Sequence, residues 1–212
     1  MNINVKKSNE VKIRKLIKNL EKRQIEGFYC ETKEEAAELV LKLLEGSKSV
    51  SWGGSATLDE IGIKERLAEI DIEAFDPYAF GTEGATKERR LEGMLKDAYL
   101  MSTNAITIDG VMLNIDGSGN RLAALSFVTD KVIIVAGRNK IVKDEAEAYS
   151  RVKNVASPAN AIRLNFNTPC AKTGMCGECI GPDSMCAHVL YTRGSRVKGR
   201  IKVILVNEEL GF

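Results

Sequence analysis

The segment Lys131-Val-Ile-Ile-Val-Ala136 is a nearly continuous β-branched run that ends at Gly137. Such a run is typical of a strand buried on both faces, because a half-exposed strand would alternate apolar and polar side chains. Shorter segments that precede it predict strands at residues 28–30, 49–52 and 71–75, with helical segments between them. This alternation predicts an α/β fold of three layers, α/β/α, around a mainly parallel sheet.

Helical periodicity and capping signals predict the outer layers. In residues 8–24, apolar residues recur at helical spacing and basic residues occupy the opposite face. Thr32 and Glu35 form a capping box that predicts the start of a second helix, and Thr57 and Glu60 form another. We expect these helices to pack on the sheet rather than on a membrane surface.

Later segments extend the outline. Residues 85–98 and 143–153 are predicted to be helical. Asp109-Gly110 lies between two apolar β segments, which is a strong signal for a two-residue hairpin. Residues 188–192 and 201–206 predict two more strands that flank a short basic turn, and we expect them to form a hairpin.

The overall composition excludes several classes of protein. The chain has 212 residues, of which 44% are hydrophobic and 28% charged, as expected for a single globular domain over residues 1–212. A net charge of +2 gives no support for a nucleic-acid partner. No apolar run is long enough to predict a membrane span, and nothing resembles a signal peptide, so the cytoplasm is the expected location.

Four of the five cysteines fall within 17 residues, at Cys170, Cys176, Cys179 and Cys186. Four thiolates in one local segment can surround a single metal centre. A [4Fe–4S] cluster is the favoured occupant and zinc the alternative, since both take four cysteine ligands. Free or disulfide-bonded cysteines are the weakest interpretation, because a reducing compartment is expected. The sequence thus predicts a C-terminal cysteine-rich metal-binding loop, an insertion at residues 167–187.

Two glycine-containing loops are candidate anion-binding sites. The first follows a predicted strand and contains Gly53, Gly54, Ser55 and Thr57. Glycines let a ligand approach the backbone, and free N–H groups at a helix start attract phosphate or carboxylate. A plain tight turn before a capped helix is the alternative. The Rossmann and P-loop glycine patterns are both absent, so neither nucleotide-binding motif is supported.

The second loop starts at Asp116 and leads into a predicted helix at residues 120–128. Backbone donors and a guanidinium at this position can together hold an anion. Because ligands of α/β sheets bind at the carboxyl ends of the strands, we expect the two loops to meet there. The ligand-binding candidates in this second loop are Gly117, Gly119, Asn120 and Arg121.

Several of these segments together resemble the LUD (lactate utilisation) domain family. The resemblance implies the fold shared by glucosamine-phosphate deaminases, ribose-phosphate isomerases and CoA transferases. It also implies a role in oxidising lactate to pyruvate, beside partner proteins that carry iron–sulfur clusters. The segments are Trp52-Gly-Gly-Ser-Ala-Thr-Leu-Asp-Glu-Ile-Gly62, Ser102-Thr-Asn-Ala-Ile-Thr107, Asp116-Gly-Ser-Gly-Asn-Arg121, Asn139-Lys-Ile-Val142, Pro158-Ala-Asn-Ala161 and residues 199–211.

The central segment is also similar to the methylthioribose-phosphate isomerase group of that superfamily. In that group an acidic residue stands where this chain has Asn104. An amide cannot serve as a general acid or base, so the similarity does not carry sugar-phosphate isomerisation to this chain. No residue can be assigned as the glutamate nucleophile of a CoA transferase either.

The resulting functional hypothesis is a cytoplasmic, redox-associated protein of the lactate-utilisation type. It would bind a small anionic metabolite or cofactor at the two loops, with Asn104 orienting the ligand and Arg121 pairing with its charge. The four cysteines would hold a cluster that passes electrons or fixes a lid. No general base is recognisable, which favours work beside iron–sulfur redox partners, and paired copies of the chain fit the superfamily.

Two alternatives stay open at this stage. One is a stand-alone isomerase- or transferase-like enzyme that acts on a phosphorylated or carboxylated small molecule. It would use Asp109 or Asp116 as its base and a structural zinc, although Asp109 is more simply explained as a turn residue. The other is a non-catalytic binding module in which the metal only closes the cysteine loop.

Overall fold

The computed structural model describes residues 2–212, apart from the side chains of residues 82 and 83. The strands are β1 Glu26–Cys30, β2 Ser49–Trp52, β3 Glu73–Phe75, β4 Ala98–Met101, β5 Ala105–Thr107, β6 Met112–Asp116, β7 Lys131–Gly137, β8 Ile141–Val142, β9 His188–Thr192 and β10 Ile201–Val206. The helices are α1 Ile3–Lys22, α2 Lys33–Leu43, α3 Ala56–Glu60, α4 Ile63–Arg66, α5 Gly81–Gly84, α6 Lys87–Met94, α7 Asn120–Ala123, α8 Glu145–Arg151, α9 Ser157–Arg163 and α10 Pro169–Thr173. Two π-helical turns extend α7 over Ala124–Val128 and join α8 to α9 over Val152–Ala156.

The main sheet has six strands in the order β1-β10-β7-β4-β2-β3, and every neighbouring pair is parallel. Helices cover both sides of this sheet, which confirms the α/β prediction. A second sheet of four strands, in the order β8-β5-β6-β9, lies beside it and was not foreseen. Within residues 2–212, none of the helices is both long and apolar enough to cross a membrane.

Strand β7 explains why its sequence is apolar at every position. Val132 and Ile134 pack into a core formed with α1, whereas Ile133 and Val135 pack into a second core formed with α2, α3 and α4. All four side chains are fully buried. Because alternate side chains of a strand point to opposite faces, both faces of β7 must be covered, and the expected three layers result.

The predicted helix at residues 85–98 is wrong at its carboxyl end. Helix α6 ends at Met94, and the central strand β4 starts at Ala98. Residues 98–101 are all buried between β2 and β7. A four-residue apolar segment directly after a helix carries too little periodicity to separate strand from helix, which explains why β4 was missed.

The predicted hairpin of residues 188–192 and 201–206 is also wrong, although both segments are strands. Strand β9 pairs antiparallel with β6 in the second sheet. Strand β10 lies between β1 and β7 in the main sheet and is parallel to both. The hairpin predicted around Asp109-Gly110 does form, as β5 and β6. The Asp109-Gly110 turn residues predicted that hairpin. No local sequence pattern indicates that the consecutive strands β9 and β10 belong to different sheets.

The buried position of β7 leads to a stability prediction. We expect Ile134→Ala to lower the free energy of unfolding by about 2–5 kcal/mol, because the truncation leaves a cavity in a packed core. The matched control is Ile3→Ala, since the Ile3 side chain is 73% exposed in α1. Urea denaturation of both variants measures the difference. An equal, small effect for the two substitutions would contradict the central placement of β7.

Candidate functional site

A cleft of about 620 Å³ opens at the carboxyl ends of the parallel strands. Residues in the segments after β2, β4 and β7 of the main sheet, and after β6 of the second sheet, contribute to its walls. This is the edge at which α/β sheets bind ligands. The lining includes eight of the residues singled out from the sequence, namely Gly54, Ser55, Thr57, Asn104, Asp116, Gly117, Asn120 and Arg121.

Three of the sequence candidates lie outside the lining. Asp109 sits in the β5–β6 turn, where its carbonyl oxygen accepts a hydrogen bond of 2.6 Å from Arg23 Nε. Gly53 precedes the lining residue Gly54, and a Cβ there would meet the Arg121 side chain at 2.7 Å. Gly119 has a φ of +77° and precedes α7. The two glycines therefore shape the site, and Asp109 lies apart from it.

Asp116 and Arg121 form a tight ion pair inside the cleft. Asp116 Oδ1 accepts hydrogen bonds from Arg121 Nε and Nη2 at 3.1 and 3.0 Å. The other carboxylate oxygen accepts the Arg121 backbone N–H at 3.1 Å. The guanidinium also donates to the Ile115 carbonyl at 2.9 Å. Each partner is therefore occupied by the other, which disfavours Asp116 as a general base.

The Asn104 side chain serves as a backbone tie. Its Oδ1 accepts the Ile115 N–H at 3.0 Å, and the backbone N–H of Asn104 donates to Asn114 Oδ1 at 3.2 Å. The Asn104 carbonyl accepts a 2.6 Å hydrogen bond from Arg151. These contacts hold the chain after β4 against β6. In this arrangement the amide oxygen is already engaged by the protein.

The residue that caps α3 is Ser55, so the predicted capping box of Thr57 and Glu60 is wrong. Ser55 Oγ accepts the Leu58 N–H at 3.3 Å. The Thr57 hydroxyl instead donates to the Leu210 carbonyl at 3.4 Å, and Glu60 accepts the Gly211 N–H at 2.8 Å. Both residues therefore bind the C-terminal segment, the stretch that contains Leu210 and Gly211. No local capping pattern could indicate these contacts.

Lys140 lines the cleft, and no residue pattern in the sequence predicts its role. The side chain is almost fully buried, with 3% exposed. Its Nζ donates to Thr57 Oγ1 at 2.7 Å and to Ser102 Oγ at 2.8 Å. The one sequence signal was its place in the Asn139-Lys-Ile-Val segment of the family resemblance.

The surroundings of Lys140 lower the pKa of its ammonium group to about 7. Burial is the largest cause, and repulsion from Arg151 and Arg121 adds to it, while Glu60 acts in the opposite direction. Among the described residues, no carboxylate forms an ion pair with Lys140. Its direct partners are the two hydroxyls, and Glu60 offsets only part of the burial and the repulsion, so the group titrates near neutral pH.

The C-terminal segment packs over the turn that carries Lys140. Asn139 Oδ1 accepts the Leu210 N–H at 3.1 Å, and its Nδ2 donates to the Gly211 carbonyl at 3.1 Å. A Cβ on Gly137 would lie 2.5 Å from Leu210 N, and a Cβ on Gly211 would lie 2.6 Å from Thr57 Oγ1. These glycines permit the close approach that shields Lys140 from water.

Cationic side chains outnumber carboxylates in the described lining. Arg121 pairs with Asp116, and Lys64 pairs with Asp59 at 2.6 Å. The remaining cations have neutral partners. Arg163 donates to Asn160 Oδ1 at 2.7 and 3.0 Å, Arg90 donates to Ser118 Oγ at 3.0 Å, and Lys140 donates to its two hydroxyls. The described part of the cleft therefore carries excess positive charge.

The cysteine segment, residues 167–187, forms one wall of the cleft through Pro182, Ser184 and Met185. Its thiols are spread over different contacts. Cys170 is buried with its Sγ 3.2 Å from Thr168 Oγ1, and Cys186 Sγ lies 3.4 Å from Ser157 Oγ. Cys176 Sγ lies 3.6 Å from Glu178 Oε1.

No three histidine, cysteine, aspartate or glutamate side chains converge as a metal-ligand set in the described part of the chain. The cysteines therefore do not fit a four-thiolate centre in their present positions. The donor types suit iron–sulfur or zinc, but binding either would require the segment to rearrange. The metal site stays a prediction, and no chemical step is assigned to it.

A model of the LUD domain family matches residues 13–206. The chain belongs to the LUD domain family. This match confirms the resemblance found in the sequence and associates the chain with lactate utilisation. A solved DUF162 family protein from Deinococcus radiodurans is 15% identical, with a TM-score of 0.57 over 93% of this chain and 98% of that one. This likeness shows a shared fold. No curated protein matches this LUD domain chain.

The environment of Lys140 predicts an unusual pH dependence of stability. The pKa is lowered from 10.5 to about 7 on folding, so between these values the unfolded chain binds a proton that the folded chain lacks. Stability should therefore rise with pH across this range. We expect Lys140→Met to be more stable than the parent near pH 7, by at most about 5 kcal/mol. The gain should shrink towards pH 10.

Thermal and urea unfolding at both pH values measure this effect. Lys143→Met is the matched control, because the Lys143 side chain is 84% exposed. A loss of stability near pH 7 in Lys140→Met alone would show that the ammonium stabilises the fold. That result would contradict the uncompensated burial described above.

Metal analysis tests the prediction for the four cysteines. We expect protein purified without oxygen to contain iron and acid-labile sulfide and to show a visible charge-transfer band that bleaches with dithionite. Colourless protein with one zinc per chain would support the alternative in which a structural zinc only closes the cysteine loop. Metal-free protein that gains none on reconstitution with iron and sulfide or with zinc would overturn both.

Proposed function

We propose that the chain binds a small anionic metabolite or cofactor in the cleft around Lys140, as a component of lactate utilisation. The observation that carries the proposal is the burial of Lys140 against two hydroxyls, without a described carboxylate partner. An unpaired buried ammonium destabilises a fold, and such groups cluster at functional sites. A bound carboxylate or phosphate would supply the missing counter-charge.

Two further cations of the described lining, neither of which pairs with a described carboxylate, support an anionic ligand. Arg163 and Arg90 line the same cleft and bond to neutral side chains among the described residues. A guanidinium can bind a carboxylate or a phosphate through two parallel hydrogen bonds. Arg121 is less suited to this role than the sequence suggested, because Asp116 already occupies its fork.

The size of the cleft constrains the ligand. Its volume of about 620 Å³ falls within the usual range for metabolite and cofactor sites. Lactate or pyruvate alone would fill a small part of it. We therefore favour a larger ligand with a carboxylate or phosphate group, or a three-carbon acid bound together with a second molecule.

The redox part of the hypothesis rests on the cysteines alone. A [4Fe–4S] cluster, or zinc in its place, remains our proposal for these residues, with iron–sulfur proteins as partners. The cleft geometry neither needs nor supplies electron transfer. The stand-alone enzyme with Asp109 or Asp116 as base is not favoured, because Asp109 lies apart from the cleft and Asp116 is paired.

Isothermal titration calorimetry with inorganic phosphate, L-lactate and pyruvate tests the anion site. We expect at least one of these probes to bind, and Lys140→Met to weaken that binding by about tenfold or more, since it removes a charge-assisted contact. The exposed Lys143→Met is the control and should leave the affinity unchanged.

The titration of Lys140 adds a second criterion. The ammonium form binds the anion, so affinity should fall as pH rises through about 7, the pKa of this group. Lys140→Met should lack that dependence. Equal affinity in Lys140→Met and the parent, or no binding of any of the three probes, would overturn the proposed site.

A further inference from the structure

Ser102 directly follows strand β4 and lines the cleft, where its hydroxyl contacts Lys140. Its Oγ lies 2.8 Å from Lys140 Nζ, and both residues line the cleft. The only other described hydrogen bond of this hydroxyl is a long one of 3.4 Å to the Thr103 carbonyl. The geometry thus joins a serine hydroxyl and a buried amine at hydrogen-bond distance, next to space for a ligand.

We infer that Ser102 and Lys140 form a serine–lysine nucleophilic dyad that acts on a small ester bearing an anionic group. Serine–lysine pairs are one of the known alternatives to the serine–histidine–aspartate triad. The preference for an anionic substrate rests on the proposed function through Arg163 and Arg90, because Lys140 must be neutral to act as the base. The dyad itself rests on the contacts of Ser102 and Lys140.

The surroundings hold the amine in a form that can accept a proton. Burial, Arg151 from α8 and Arg121 from α7 lower the pKa of Lys140 to about 7, against the opposing effect of Glu60 from α3. A general base is most effective when its pKa lies near the working pH. In the ammonium form, Nζ donates to both Thr57 Oγ1 and Ser102 Oγ. Once Lys140 is neutral, it can keep the 2.7 Å hydrogen bond to Thr57 Oγ1 while its lone pair accepts the Ser102 proton.

Thr57 is itself fixed, so the amine has a defined orientation. Its hydroxyl donates to the Leu210 carbonyl at 3.4 Å, and this carbonyl also accepts from Asn139 Nδ2 at 3.4 Å. The C-terminal segment thereby orients the residue that orients Lys140. Thr57 and Asn139 act as positioning residues in this scheme.

The reaction balances without any added oxidant or cofactor. Ser102 Oγ attacks the ester carbonyl and forms a C–O bond while its proton passes to the neutral Lys140 amine. The ester C–O bond then breaks, and the ammonium returns the proton to the leaving alkoxide. Water attacks the acyl-serine in the same way, releases the acid and regenerates the hydroxyl. Arg163 adds positive charge to the cleft, which favours the developing oxyanion.

A purely structural role for the Ser102–Lys140 contact predicts different behaviour. If the hydroxyl only satisfies a buried ammonium, Ser102 has ordinary serine reactivity at every pH. A dyad makes Ser102 more nucleophilic as Lys140 loses its proton. The two interpretations are therefore separated by a pH–rate profile measured at Ser102.

Labelling with a fluorophosphonate probe provides this measurement. In the reaction Ser102 Oγ would form a bond to phosphorus, fluoride would leave, and the proton would pass to Lys140. We expect one adduct per chain, mapped to Ser102 by peptide mass spectrometry, with a rate that rises through about pH 7. Ser102→Ala should give no adduct, and Lys140→Met should slow labelling by at least about 100-fold.

Controls keep the result interpretable. Lys143→Met should label like the parent, and circular dichroism confirms that each variant is folded. If Ser102→Ala fails to fold, Ser102→Cys replaces it, and alkylation of the introduced thiol by iodoacetamide should show the same dependence on Lys140. No adduct between about pH 6 and 9, an adduct elsewhere, or a rate independent of Lys140 would overturn the dyad.

The proposed anion site can fail separately. Calorimetry with inorganic phosphate uses the unlabelled parent protein and does not require a reactive serine. Phosphate binding without Ser102 labelling would overturn the dyad and leave the anion site standing. Labelling of Ser102 without binding of any anion would support the dyad and remove its preference for anionic esters.

Discussion

The burial of one ammonium group, Lys140, constrains the functional edge of this fold. Its two hydrogen bonds reach Thr57 after β2 and Ser102 after β4, while Lys140 itself follows β7. Three parallel strands are thus tied together at their carboxyl ends by one amine. Because the Lys140 ammonium lacks a described carboxylate partner, its burial destabilises the folded state. The same unpaired charge can attract an anionic ligand. This balance is typical of sites that are retained for function rather than for folding.

The rest of the site is arranged so that this burial persists. Asn139 clamps the C-terminal segment through hydrogen bonds to Leu210 and Gly211, and this segment covers the amine. Gly137 and Gly211 leave the space that the close contact needs. Arg121 is held by Asp116 and is close enough to depress the pKa of Lys140. The Asp116–Arg121 pair, which the sequence suggested for binding or catalysis, thus acts on Lys140 only through its fixed charges.

The cysteine segment meets the same cleft from another direction. Met185 lines it beside Gly117, and Cys186 contacts Ser157, which also lines it. Since the thiols do not converge as a metal-ligand set among the described residues, metal binding would have to move this wall. Any such movement would alter the shape of the ligand site. The two parts that the sequence suggested separately, a metal loop and an anion cleft, are therefore physically adjacent.

The sequence alone determined the α/β class, the LUD family and the loops that line the cleft. These features are encoded locally, in the apolar run of β7, the hairpin turn after β5 and the glycines that follow β2 and β6. Only the tertiary structure decided that β4 is a central strand, that β9 and β10 join different sheets, and that Lys140 is the buried group. A lysine in a polar turn has no local mark of burial. The pKa of Lys140 depends on residues that lie far apart in the chain. These residues come together because of the order of the strands in the sheet, which no single motif encodes.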